Sequence, residues 1–139
     1  KNLLDKVKDF DIVYFDSDSD TSEATFEQTI TSKITHHTPI DVKNQANVHK
    51  WYPEKFGQTI APYRNVNQGI DSWLPAFAIG FRLSSSGDPE IYAPYGLDDA
   101  FEMIVRPNKT VMSEANYLKM TKSFKERWPA IMVKPWGAS

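Results

Sequence analysis

The chain has 139 residues, 40% of them hydrophobic and 13% aromatic, which is enough to bury one core and too few to expect two independent ones. A formal net charge of -2 and a pI near 5.9 supply no broad basic field, so a general nucleic-acid binder is disfavoured. Cysteine is absent, which excludes a disulfide framework and a thiolate zinc site, and no apolar run approaches the ~20 residues that span a bilayer. No membrane role and a cytoplasmic location are therefore expected, as one domain over residues 1–139 with a loosely held tail from 133 to 139.

In chain order, Phe10 to Phe15 reads FDIVYF, β-branched and aromatic between acidic residues, and predicts a short buried strand. Ala24, Phe26, Ile30 and Ile34 recur at roughly helical spacing behind the cap candidates Asp20, Thr21 and Ser22, which predicts a helix to about Lys33. Ile40 to Val42, after Pro39, begins a second strand that passes into the polar stretch Lys43 to His49. A helical turn carrying Val48, Trp51 and Tyr52 follows, and Pro53, Gly57 and Pro62 mark a loop. Ile70, Trp73 and Leu74 suggest one short helix. Phe77 to Leu83 and Glu90 to Ala93, separated by the turn-rich SSSGDP, predict a hairpin. Asp98 and Asp99 suit a helix start, Ile104 to Arg106 a strand, and Ser113 to Trp128 a last amphipathic helix stopped by Pro129.

The chemistry-bearing feature is Asp9-Phe10-Asp11. Residues two apart on a strand project from one face, so both carboxylates would stand at the mouth of a sheet. If the strand from Ile40 pairs alongside, at about 4.8 Å, Asp41 brings a third. Three such acids repel one another unless cations intervene, and magnesium prefers hard oxygen donors and keeps waters beside them. A paired metal site of that kind suits phosphoryl-type transfer. On its own, D-x-D more often describes two solvated acids flanking an edge strand. Two rival readings fail. Asp16, Asp18, Asp20 and Glu27 have the spacing of an EF-hand loop, but Thr21 stands where its sharp turn needs glycine, and a strand precedes it where a helix is required. Phosphatases of the haloacid-dehalogenase kind place their aspartates after an apolar strand, whereas here they precede it.

A more specific match runs through five ordered stretches: DFDIVYFD (9–16), PIDVKNQANVHKWY (39–52), APYRNVNQGIDSW (61–73), IYAPYGLDDAFEMIVRPN (91–108) and ERWP (126–129). Together they resemble a bacterial nucleotidyltransferase-like family of the DNA polymerase β superfamily, similar in fold to the head domain of CCA-adding enzymes. The resemblance implies an α+β fold, a small mixed β-sheet with flanking helices. It implies that Asp9, Asp11 and Asp41 are the catalytic acids holding Mg²⁺ or Mn²⁺, and that Lys43, Asn44 and Gln45 lie near the phosphates or base of a nucleoside triphosphate. It further implies transfer of a nucleoside monophosphate to an acceptor whose identity the sequence leaves open.

Two departures stand beside it. Superfamily members carry a glycine-serine turn and a helix upstream of the paired acids, whereas KNLLDKVK has neither glycine nor serine, so a chain lacking that element is expected. Asn47 stands where the family usually has arginine. A non-catalytic domain that retains the fold, and binds a nucleotide or a protein partner, is the alternative. Among the other residues, Lys43 shares a strand face with Asp41 and suits either charge neutralisation or phosphate contact. His49 reads as structural, Asp98 and Asp99 as helix-capping acids, and Trp51, Trp73 and Trp128 as packing residues.

Overall fold

The computed structural model describes residues 8–18, 22–34 and 39–137. Strand β1 (Phe10–Tyr14) and strand β2 (Ile40–Asn44) run parallel, in register Asp11 with Asp41, Ile12 with Val42 and Tyr14 with Asn44. Parallel neighbours need a crossover, and helix α1 (Glu23–Lys33) lies in it. Ser22 caps that helix, its hydroxyl accepting the Thr25 N–H at 3.2 Å, with Glu23 in the first turn and Lys33 in the last, as the helix dipole favours.

Side-chain alternation gives the β1·β2 ladder two unlike faces. Ile12, Tyr14 and Val42 share one, and with Phe26 and Ile30 of α1 they line an apolar hollow of about 260 Å³. Asp11, Val13, Asp41 and Lys43 share the other. A short 3-10 turn (Gln45–Asn47) leads into helix α2 (Val48–Phe56), whose Val48 and Tyr52 are buried, as are Ile40 and Val42. The loop expected at Pro53 begins four residues later. Proline costs the helix one backbone bond, but the rings of Tyr52 and Phe56 pack at 4.6 Å across that point, and the turn is ended by Gly57 at φ 71°, its N–H bonded to the Pro53 carbonyl.

The chain forms two compact units, residues 1–66 and 67–139. Helix α3 (Val66–Asp71) leads into the second, ending before Trp73, where the short helix was expected to continue. Strands β3 (Gly80–Leu83) and β4 (Pro89–Tyr92) form the expected hairpin, pairing Phe81 with Ile91 and closed by an Arg82–Glu90 ion pair at 2.7 Å. Helix α4 (Asp98–Glu102) has Leu97, not an aspartate, at its N-cap position; Asp98 and Asp99 occupy the first turn, and Asp99 pairs with Arg106 at 2.9 Å. Strand β5 (Ile104–Val105) pairs in parallel with strand β6 (Met132–Val133). Between them helix α5 (Glu114–Arg127) starts at Ser113, which accepts the Asn116 N–H at 3.2 Å.

The core of this unit is Leu74, Val105, Met112, Tyr117 and Ile131, with Met103, Phe124, Trp128 and Trp136 packed against it. The chain beyond Met132, expected as a loose end, is tied down through residue 137: Val133 sits in the ladder, the Lys134 carbonyl accepts the Tyr117 hydroxyl, and Trp136 packs 5.7 Å from the Tyr117 ring. The apolar weight of Trp136 explains the difference, because one partly buried indole packed on the core holds down a short terminal segment. The architecture is thus mixed α and β, with small parallel and antiparallel ladders and flanking helices.

Candidate active site

Asp9 immediately precedes β1, Asp11 is its second residue, and Asp41 is the second residue of β2. Because Asp11 and Asp41 are register partners, and Asp9 lies two residues back on the same face, one oxygen from each can be chosen so that all three lie within 4.8 Å of one another. The Phe10 N–H donates to the Pro39 carbonyl at 2.8 Å, which fixes the strand ends where the acids stand. The three acids singled out from the sequence therefore converge.

The electrostatics bear the mark of that crowding. The Asp11 carboxyl is pushed up from 3.8 to about 6, first by burial of the carboxyl group and then by the charges of Asp9 and Asp41. Asp11 as a whole residue stays solvent-exposed, so the group is crowded yet reachable. Lys43 and Lys55 pull in the opposite direction without cancelling the effect. Lys43 Nζ lies 3.1 Å from Asp41 Oδ1; burial lowers its pKa, but the bond to Asp41 and the charges of Asp41, Glu23 and Glu27 outweigh this and leave it raised.

Lys55 escaped the sequence reading. It belongs to no acid motif, and only the turn of the chain from β2 into α2 brings its charge to bear on Asp11. Its ammonium lies 5.6 Å from the ring centroid of Trp51 and 5.4 Å from that of Phe56, so two aromatic faces hold it. The signal available in the sequence was its helical spacing from Trp51.

Of the three residues expected near a nucleotide, Lys43 alone shares the acids' face. Asn44 is 2% exposed and faces the other way. Its side-chain oxygen accepts the backbone N–H groups of Asp16 at 3.0 Å and Ala46 at 3.1 Å, and its amide donates to the Asp16 carbonyl at 2.8 Å. Its own backbone N–H donates to Glu23 Oε2 at 2.9 Å. Asn44 is therefore a clasp that ties the exit of β1 to the start of the 3-10 turn and to α1. Gln45 is 4% exposed beside it, with its amide 3.5 Å from the Lys43 carbonyl. His49 is half-buried in α2, in keeping with a structural place. Residues 1–7, on which the expectation of a missing glycine-serine element rests, lie outside the described residues.

Three hard carboxylate oxygens in one small space, carrying more negative charge than Lys43 and Lys55 offset, are the donor set a hard divalent cation takes, so the residues present fit Mg²⁺ or Mn²⁺. A parallel strand pair with acids converging at its mouth and a helix in the crossover is the arrangement that the nucleotidyltransferase resemblance implies. The chain belongs to the nucleotidyltransferase family, whose sequence profile matches residues 1–133. It is similar to a protein whose NMR structure reveals a CCA-adding enzyme head domain, with a TM-score of 0.69 and 25% identity over 94% of this chain and 70% of that one. No curated protein matches it significantly. Among the described residues, no helix is long and apolar enough to cross a membrane.

Proposed function

We propose that the protein is a metal-dependent nucleotidyltransferase that moves a nucleoside monophosphate from a nucleoside triphosphate to a nucleophilic acceptor, releasing pyrophosphate. The observation that carries this reading is the convergence of Asp9, Asp11 and Asp41 within 4.8 Å, in a chain of nucleotidyltransferase sequence. The family match runs through both compact units, which supports reading them as parts of one catalytic domain.

In this reading the three aspartates hold Mg²⁺ or Mn²⁺, which when bound would supply charge stabilisation at the α-phosphate and a more acidic acceptor hydroxyl. The protein's own groups do the rest. Lys43 pairs with Asp41 at 3.1 Å and offers its ammonium to the phosphate side of the acid face. Lys55, braced by Trp51 and Phe56, adds positive charge on Asp11 and favours its ionised, ligating form. Asn44 acts from beneath, tying the exit of β1 to β2, because phosphoryl-type transfer depends on positioning more than on covalent chemistry. The net charge of -2 supports a small-molecule or protein acceptor over an RNA.

The test is pyrophosphate release from each nucleoside triphosphate with Mg²⁺ or Mn²⁺ over a panel of acceptors, beside calorimetric titration of ATP with metal and in EDTA. Metal-dependent ATP binding, lost in Asp11→Asn with the fold retained, is the expected result. Equal ATP affinity in EDTA would overturn the proposal.

A further inference from the structure

In the second compact unit the parallel β5·β6 ladder runs out into a pair of positive side chains. Its register sets Val105 beside Val133, and the Lys134 N–H donates to the Val105 carbonyl at 2.8 Å. One further step in that register brings Arg106 beside Lys134, and both line a concavity of about 350 Å³, joined there by Lys109. Like charges on adjacent strand positions repel. Asp99 offsets one of them, its two oxygens 2.9 and 3.1 Å from Arg106 Nε. No carboxylate lines the concavity, so the charge of Lys109 and Lys134 is left in excess.

The remaining lining is set in place before any ligand arrives. Asn108, 7% exposed, donates its amide to the Asp71 and Trp73 carbonyls at 2.9 Å each, and its oxygen accepts the Thr110 hydroxyl at 2.7 Å. The Tyr95 hydroxyl donates to the Asp71 carbonyl. The Lys109 ammonium rests 5.8 Å from the Trp136 ring centroid, a contact that braces the side chain without neutralising its charge. Among the described residues only the Nε–H of Arg106 is engaged by Asp99, which leaves the terminal amino groups of a planar, multi-donor side chain suited to phosphate oxygens. Pro75 and Pro107 supply apolar wall.

We propose that this concavity binds the phosphate group of a small phosphorylated molecule, held by Arg106, Lys109 and Lys134 with the organic part against the proline wall. Its volume sits at the lower end of the roughly 300–1,000 Å³ of small-molecule pockets. A nucleic-acid strand would call for a positive track, which a chain of net charge -2 does not supply. The inference is independent of the acid cluster, since every residue it uses lies between Asp71 and Trp136.

The test titrates ribose 5-phosphate, inorganic phosphate, unphosphorylated ribose and a short RNA into the isotope-labelled full chain, in EDTA, following the Trp136 indole and the backbone amides of Arg106, Lys109 and Lys134 by NMR. Saturable shifts at these nuclei are expected with ribose 5-phosphate, weaker ones with inorganic phosphate and none with ribose. Lys109→Gln and Lys134→Gln should each weaken binding at least about tenfold, Lys109→Arg should restore it, and Lys119→Gln and Asp11→Asn should leave it unchanged. If Lys134→Gln fails to fold, Lys109→Gln alone decides. Shifts that persist in Lys109→Gln, or that never saturate, would mean an adventitious ion only and overturn the proposal; tighter binding of RNA through the same residues would overturn the small-molecule assignment. Metal-dependent ATP binding measured on the same sample keeps failure here distinct from failure of the nucleotidyltransferase reading.

Discussion

Asp11 and Asp41 are register partners on adjacent parallel strands, two carboxylates side by side where a sheet ordinarily avoids like charges. With Asp9 they form a cluster whose repulsion is relieved only in part by Lys43 and Lys55.

Removing one acid should therefore weaken metal binding and leave the framework standing. Asp41→Asn is expected to lower Mn²⁺ affinity at least about tenfold, since even groups behind the ligands of a metal site contribute that much. Electron paramagnetic resonance titration of free Mn²⁺ measures it, with circular dichroism as the check on folding. Unchanged affinity in both Asp41→Asn and Asp11→Asn would remove the cluster from the metal site.

The raised pKa of Asp11 makes a separate statement about stability without metal. Between about pH 4 and pH 6 the folded chain holds a proton at Asp11 that the unfolded chain has already released, so this group's contribution to stability falls as pH rises and is fully lost above the folded value. Asparagine at this position carries no charge to destabilise. In EDTA, Asp11→Asn is expected to exceed the parent in stability by about 1 kcal/mol at neutral pH, a figure reduced for the solvent exposure of Asp11, and to match it below about pH 4. Urea denaturation at the two pH values tests the sign.

The Asn44 clasp predicts a structural effect. Asn44→Ala deletes two accepted bonds and one donated bond at a buried position, and should cost about 2 to 3 kcal/mol. Denaturation followed by Trp51 fluorescence, with the other tryptophans replaced by phenylalanine, reads the first unit directly. A loss under about 0.5 kcal/mol would show that the clasp is immaterial.

In the second unit the Tyr117 hydroxyl, in a residue 0% exposed, shares its one proton between the carbonyls of Val105 and Lys134 and so bridges β5 to the segment after β6. Tyr117→Phe keeps the ring and should cost about 1 to 2 kcal/mol, with faster amide hydrogen exchange at Lys134. Unaltered exchange at Lys134 would separate the hydroxyl from the holding of that segment.

Much of this was legible beforehand because it rests on local chemistry. β-Branched and aromatic residues marked β1, Ile40 to Val42 after Pro39 marked β2, Ser22 and Ser113 marked their helix starts, SSSGDP marked the hairpin, and the spacing of Asp9 and Asp11 put both on one face. Convergence with Asp41 was legible only on the condition that the strand from Ile40 pairs alongside, and through the family resemblance, which made Asp41 the third acid. What was hidden depends on contacts distant along the chain. Strand alternation sets Lys43 on the acid face and Asn44 on the other, but the role of Asn44 as a clasp comes from its meeting Asp16, 28 residues earlier. Lys55 gained its place from the path of α2, and the hold on the chain after Met132 came from Trp136 meeting Tyr117.

The alternation of the β1·β2 ladder has a further consequence for how its sequence can vary. Odd-numbered positions 11, 41 and 43 carry the charges on the face that Val13 shares, and even-numbered positions 12, 14, 42 and 44 carry the packing and the clasp. Changes of chemistry and changes of scaffold are therefore written in separate registers of the same short segments. A library randomised at the odd positions alone should return mostly folded proteins with altered ion or ligand preference, and one randomised at the even positions mostly unfolded ones.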